Sequence, residues 1–233
     1  MEHAGTVLLI HGGLWENTGA DWFWRRTGVV EGLERRGFTV LAPDRIERAA
    51  NWTAEAAYLA AGVTEAAVDA AVDAVADAAA DRGSPGDALT VLGGSFGCAA
   101  AVRLALDHPG LAGRLVLAWP ASLSDQFTAI RVRAGLTRQG ARGSVLDALL
   151  GGQTLPSATD AELRTLTIPA AVVPSSPANP VHPRSAVDAL LRLLPSAVEL
   201  PGTPEAPRPE FPPHLESFLD AVTSFIQSGR GGR

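Results

Sequence analysis

The segment around Ser95 constrains the fold of this chain more than any other feature. Ser95 lies in the run GGSFG (93–97), between an apolar stretch typical of a strand (88–92) and a helical pattern (98–106). Glycines on both sides of a serine permit the cramped backbone of a sharp strand-to-helix turn. Such a turn holds the serine at its tip, and the first amides of the helix point toward whatever the serine attacks. We therefore predict a nucleophile elbow with Ser95 as the nucleophile, rather than an ordinary glycine-rich turn.

A second glycine-containing turn follows the first predicted strand. The apolar stretch 6–10 leads directly into the run HGGL (11–14). The two motifs in this order resemble the alpha/beta-hydrolase superfamily, and the resemblance extends over nearly the whole chain. It implies an oxyanion hole formed by an amide of Gly13 or Leu14 together with the amide of Phe96.

Short apolar runs alternate with helical patterns along the chain. The runs lie at 6–10, 38–42, 88–92, 114–119, 168–173 and 197–200, and the helical patterns at about 24–36, 52–81, 96–107, 184–194 and 213–227. This alternation predicts an α/β protein, and the resemblance implies the alpha/beta-hydrolase fold: a mainly parallel sheet of about six strands with helices on both faces. We expect one domain over 1–227, in which 120–165 forms a small lid, and a disordered tail at 228–233.

Composition and charge exclude several classes of function. The formal net charge of −6 over 233 residues gives no electrostatic basis for binding nucleic acid. The single cysteine, Cys98, excludes an internal disulfide and suits a reducing compartment. The N-terminus has no basic segment, and the first apolar run is too short for a signal or a membrane span. We expect a cytoplasmic monomer or homodimer that binds neither nucleic acid nor membrane.

The sequence offers no pattern for a metal ion or another cofactor. Asp69, Asp73, Asp77 and Asp81 recur at four-residue spacing, which we interpret as a solvated helix face rather than a metal site. No nucleotide-binding glycine pattern occurs either. We therefore expect no metal and no cofactor.

The expected partners of the serine depart from the pattern of the resembled family. In that family an acid follows the next-to-last strand and a histidine follows the last strand. Here Asn179 lies where the acid is expected, and Glu205 lies where the histidine is expected. Because an amide cannot be the anionic partner of an imidazolium, we predict a degenerate triad and a sluggish nucleophile.

Four other side chains are candidates for acid–base chemistry beside Asn179. His182 is the candidate base, because it lies in the loop after the next-to-last strand, at the sheet edge where sites form. A loop residue hydrogen-bonded to the next helix is the alternative reading. Glu205, Glu16 and Asp125 are the candidate acids. For Glu16 and Asp125 the structural alternatives are a charge at a helix start and a surface charge of the lid.

Aromatic residues near the expected site suggest the chemistry of the ligand. Trp15 and Trp24 follow the oxyanion turn, and Trp119 ends the strand beside the elbow strand. We expect these side chains, with His11, to line a pocket for an apolar or aromatic small molecule. An additional reading of His11 is that it braces the oxyanion turn.

The leading functional hypothesis is an enzyme that cleaves an ester, thioester or activated acyl bond of an apolar small molecule. One alternative is a lyase, cyclase or dehydratase of specialised metabolism that uses the same pocket, with Glu205, Glu16 or His182 as acid or base and Ser95 only as a hydrogen-bond donor. Another alternative is an inactive protein that binds a small molecule without turnover.

Overall fold

One parallel sheet organises the part of the chain that the computed structural model describes, residues 4–16, 18–76 and 89–228, with the backbone alone for 67–76. Its six strands are β1 (Thr6–Ile10), β2 (Thr39–Leu41), β3 (Leu89–Gly94), β4 (Ala112–Ala118), β5 (Ala170–Val173) and β6 (Ala197–Glu199). They lie in the order β2-β1-β3-β4-β5-β6, and every neighbouring pair is parallel. Parallel pairing brings the carboxyl ends of all these strands to one edge.

Helices connect the strands. The α-helices are α1 (Val29–Arg35), α2 (Trp52–Ala76), α3 (Gly97–Asp107), α4 (Gln126–Arg138), α5 (Gly143–Leu150), α6 (Asp160–Leu163), α7 (Arg184–Leu193) and α8 (Leu215–Ser228). A π-helical turn (Asp21–Arg25) precedes α1, and a 3-10 turn (Pro212–His214) precedes α8. In the described residues, no helix is both long enough and apolar enough to cross a membrane.

Alternate residues of the strands enter two hydrophobic cores, one on each face of the sheet. In β1, Leu8 and Ile10 pack into the core that contains α2, α3 and α7, whereas Val7 and Leu9 pack into the core that contains α1 and α8. Because successive side chains of a strand point to opposite faces, the central strands must be apolar throughout. This explains why they are continuous apolar runs in the sequence.

The segment between β4 and β5 interrupts the strand–helix repeat. It holds α4, α5 and α6 within the expected lid, 120–165. The predicted stripe of aspartates falls on side chains outside the described residues. Of the tail 228–233, only Ser228, the last residue of α8, belongs to the described part.

Candidate active site

The turn between β3 and α3 holds Ser95 in a strained conformation. Its φ is +55°, in the left-handed region that a residue with a side chain rarely adopts. The Ser95 amide donates to the carbonyl of Ala118 at 2.9 Å, which fixes the turn to the neighbouring strand. A Cβ at Gly97 would lie 2.2 Å from the Ile10 carbonyl oxygen, so only glycine permits α3 to begin this close to β1.

Three side chains form a continuous hydrogen-bonded chain from the tip of this turn. Ser95 Oγ lies 2.8 Å from His182 Nε2, and His182 Nδ1 lies 2.6 Å from Glu205 Oε1. Since the carboxylate accepts only, Nδ1 carries the proton and Nε2 is free to accept from the serine hydroxyl. This is the order of contacts that a nucleophile, a general base and an orienting acid require.

The histidine and the acid occupy each other's expected loops, which corrects the expectation of a degenerate triad. His182 follows β5, where the acid was expected, and Glu205 follows β6, where the histidine was expected. The exchange is possible because β5 and β6 are paired in parallel and their loops continue side by side. The Ser176 amide donates to the Thr203 carbonyl at 2.9 Å between these loops.

Asn179 supports this arrangement instead of supplying the acid. Its Oδ1 accepts from the amides of Val181 and His182 at 3.0 and 3.1 Å, an Asx turn that holds the loop. Its Nδ2 donates to Glu205 Oε1 at 2.6 Å. One amide side chain thus fixes both the backbone that carries His182 and the carboxylate that orients its ring.

Glu205 is a buried carboxylate that remains ionised. Burial alone raises its pKa, but the hydrogen bond from His182, a backbone bond and the amide of Asn179 outweigh burial and lower the pKa to about 2. Arg208 Nε lies 2.8 Å from Oε2, and Ser175 Oγ lies 3.0 Å from Oε1. Sequence reasoning missed both of these partners. The sequence signal for Arg208 was its position, since a basic residue lies three residues after the acid.

The low pKa of Glu205 predicts a pH-dependent contribution to stability. A carboxylate with a depressed pKa stabilises the folded state above its ordinary value of 4.5, and that contribution disappears as the pH falls toward about 2. We expect the free energy of unfolding in urea to fall by about 1–3 kcal/mol more in the wild type than in Glu205→Gln between pH 5 and pH 2.5. Identical pH dependence in both proteins would contradict this prediction.

His11 contacts backbone groups of the turn 11–14 and of the loop at Arg45. The ring is buried; Nδ1 lies 2.8 Å from the Gly12 carbonyl, and Nε2 accepts from the Arg45 amide at 3.0 Å. Burial is the main cause that lowers its pKa, so a neutral ring with the proton on Nδ1 fits both contacts. His11 lines a cavity of about 210 Å³ that adjoins the one at Ser95.

A buried ion pair, which sequence reasoning missed, supports the same turn. Arg45 Nε and Nη2 lie 2.5 and 2.9 Å from the two carboxylate oxygens of Glu55, which has no exposed surface. Arg45 Nη1 donates to the carbonyls of His11 and Gly13 at 3.1 and 2.7 Å. With the carbonyls held from this side, the peptide planes of the turn are fixed.

A cavity of about 510 Å³ opens at Ser95, and residues of α4, within the segment expected to form the lid, line it. The predicted oxyanion residues Gly13, Leu14 and Phe96 line it together with Ser95. The other lining residues are Glu16, Thr128, Ile130, Arg131, Val132, Ala134, Gly135, Leu136, Arg138, Gln139 and Val181. The side chain of Glu16 lies at the exposed rim, where partial desolvation raises its pKa.

Two of the predicted pocket tryptophans belong to the core, so their assignment to the pocket was wrong. Trp24 and Trp119 are fully buried and stack at 6.2 Å between ring centroids. Trp119 Nε1 donates to the Thr203 carbonyl at 3.1 Å, next to the turn that carries Glu205. Trp15 lines the smaller cavity, where its Nε1 donates to the Ala49 carbonyl at 2.9 Å.

Asp125 begins a helix and takes no part in the hydrogen-bonded chain at Ser95. Its Oδ1 accepts from the Thr128 amide at 2.7 Å as the N-cap of α4. This backbone hydrogen bond is the main cause that lowers its pKa. A carboxylate that satisfies the first turn of a helix fits the surface-charge alternative, not a catalytic acid.

Comparison with known proteins identifies the fold. No family model matches the chain, and no curated protein matches it in sequence. The alpha/beta hydrolase MGS-MChE2, from the metagenome of sediments of the Mar Chica lagoon in Morocco, superposes with a TM-score of 0.66 at 18% identity, covering 97% of this chain and 92% of that one.

Two further solved structures superpose on this chain over nearly its whole length. The meta-cleavage product hydrolase CumD of Pseudomonas fluorescens IP01 has a TM-score of 0.61 at 16% identity, with 97% of this chain and 92% of that chain covered. The esterase RhEst1 of Rhodococcus sp. ECU1013 has a TM-score of 0.57 at 16% identity, with 96% and 90% covered. The chain therefore has the alpha/beta-hydrolase fold.

Proposed function

We propose that this protein is a serine hydrolase that cleaves an ester, thioester or activated acyl bond of a small molecule with an apolar body. The observation that carries the proposal is the chain of contacts from Ser95 through His182 to Glu205, at the mouth of a cavity of about 510 Å³. The hydrolases and the esterase among the structural neighbours are consistent with it.

The proposed reaction proceeds in two halves. Ser95 Oγ attacks the acyl carbon while His182 Nε2 takes the hydroxyl proton, and the Glu205 carboxylate stabilises the imidazolium. The amides of Phe96 and of Gly13 or Leu14 stabilise the negative charge on the tetrahedral oxygen. His182 then gives its proton to the leaving group. In the second half, water attacks the acyl-enzyme with His182 as the base, and Ser95 is restored.

The cavity supports a substrate with apolar surface. Leu14, Phe96, Val132, Leu136 and Val181 contribute apolar side chains to its wall. Such walls favour burial of a hydrocarbon acyl or alkyl group over a sugar. The contact between Ser95 Oγ and His182 Nε2 favours the hydrolytic proposal over the inactive alternative. The non-hydrolytic alternative uses the same acid–base residues, and it is distinguished by whether turnover survives the loss of Ser95.

The kinetic test is the release of p-nitrophenol from p-nitrophenyl butyrate. We expect a burst of one equivalent per chain followed by slower turnover, because an activated aryl ester should acylate Ser95 faster than water hydrolyses the resulting butyryl ester. Ser124→Ala is the matched control, since Ser124 is an exposed serine that does not line this cavity. It should retain the burst, whereas Ser95→Ala should lose it. Turnover that survives in Ser95→Ala would refute the proposal.

A further inference from the structure

The lid helix presents two arginines to the cavity that contains Ser95. Arg131 and Arg138 line this cavity together with Thr128 and Gly135. These positions recur at three- and four-residue steps, so they share one face of α4. Seven residues, or two turns, separate the two guanidinium-bearing positions on that face.

These two arginines differ from the other arginine in the middle of α4. Arg133 Nη2 lies 3.4 Å from Asp147 Oδ1 in an exposed ion pair, and it lines a different cavity. Within the described residues, neither Arg131 nor Arg138 forms a hydrogen bond or an ion pair by its side chain. Two cationic groups at the cavity therefore have no carboxylate neutralising them.

The acidic charge at the cavity does not neutralise the two arginines. Glu16 is the one acidic side chain among the described lining residues, and it lies on the oxyanion-turn side of the cavity rather than on α4. The apolar residues of the wall supply no anion. A substrate that fills the cavity thus meets apolar side chains and two exposed arginines of α4.

We infer that the substrate carries a carboxylate in addition to its scissile acyl bond, and that Arg131 and Arg138 bind this carboxylate. This inference rests on the proposed hydrolytic function and specifies its substrate class. A guanidinium offers a planar pair of donors that matches the two oxygens of a carboxylate. The apolar wall contacts the hydrocarbon chain between the carboxylate and the acyl carbon.

The test compares two esters that differ only in this charge, mono-p-nitrophenyl adipate and p-nitrophenyl hexanoate. We expect the wild type to have the higher kcat/KM for the adipate ester. Arg131→Gln combined with Arg138→Gln should lower the ratio of kcat/KM for the adipate ester to kcat/KM for the hexanoate ester by about tenfold, mainly through the KM of the adipate ester. High salt should also lower the preference of the wild type for the adipate ester, because it screens the attraction between the arginines and the carboxylate.

Two control variants fix the interpretation. Arg133→Gln removes a charge from the same helix outside this cavity and should leave the adipate-to-hexanoate ratio unchanged. Glu16→Gln removes the negative charge of the cavity and should raise that ratio. Equal ratios in the wild type and the double variant, with hexanoate still hydrolysed, would overturn the inference alone. Hydrolysis of neither ester, with no modification of Ser95 by a fluorophosphonate, would overturn the proposed function and the inference with it.

Discussion

Replacement of His182 by alanine is expected to lower kcat for p-nitrophenyl butyrate on the order of 10⁴-fold or more. His182 Nε2 is 2.8 Å from Ser95 Oγ, and a serine hydroxyl is a weak nucleophile at neutral pH without an adjacent base. The oxyanion amides remain in the variant and account for the residual rate. Steady-state kinetics with active-site titration of the wild type measures the effect.

Two further variants distinguish the loss of a base from a nonspecific effect of replacing a histidine. His214→Ala is the matched control, since His214 is exposed and precedes α8, and its kcat should stay within about twofold of the wild type. Glu205→Gln retains the shape of the acid and loses its charge, so we expect a loss of about 10⁴-fold. A His182→Ala enzyme within tenfold of the wild type would contradict the assignment of the base.

Replacement of Arg45 by alanine is expected to reduce the free energy of unfolding by about 3–5 kcal/mol. The variant leaves the carboxylate of Glu55 without its partner at a position with no exposed surface. It also removes the donor to the carbonyls of His11 and Gly13. Urea unfolding at pH 7, followed by tryptophan fluorescence and circular dichroism, measures the loss.

The control for Arg45 is an arginine in an exposed ion pair. Arg26 pairs with Asp21 at 2.7 Å, and their side chains are 72% and 61% exposed. Arg26→Ala should therefore change the free energy of unfolding by less than about 1 kcal/mol. The double variant Arg45→Leu with Glu55→Leu should be more stable than Arg45→Ala, because it buries no unpaired charge. Equal effects of Arg45→Ala and Arg26→Ala would contradict a stabilising role for the buried pair.

The fold and the elbow were predictable because their signals are local. Continuous apolar runs indicate strands that are buried on both faces, and the six runs match the six strands to within about three residues at each end. The elbow depends on adjacent residues alone: an apolar strand, glycines around Ser95, and a helix. Gly97 shows why the pattern is so restricted, since any side chain there would collide with the Ile10 carbonyl.

His182 was a candidate base and Glu205 a candidate acid, but their contact was not predictable in the same way, because it depends on the positions of two loops. Each loop on its own departs from the family pattern, and the sequence alone therefore suggested a degenerate triad. The parallel pairing of β5 with β6 brings their loops together. The loop after β5 provides the histidine, and the loop after β6 provides the acid that contacts it. A histidine in one loop and an acid in the other was the available signal.

The assignment of Trp119 to the pocket was wrong for a physical reason at the end of β4. Alternation along a strand would place Trp119 on the face opposite Ala118, but both enter the same core. The φ of +51° at Trp119 turns its side chain out of the alternating pattern. Its ring then stacks on Phe218 of α8 at 5.3 Å between centroids. Periodicity cannot anticipate a positive φ at a residue other than glycine.

The most direct test of the central claim is the rate at which a fluorophosphonate modifies Ser95, located by peptide mass spectrometry. This measurement needs no knowledge of the substrate, because the reagent requires only an activated serine hydroxyl. We expect rapid modification confined to Ser95 in the wild type, and almost none in His182→Ala over the same time. Modification of Ser95 at the wild-type rate in His182→Ala, or modification of a different residue, would contradict the account.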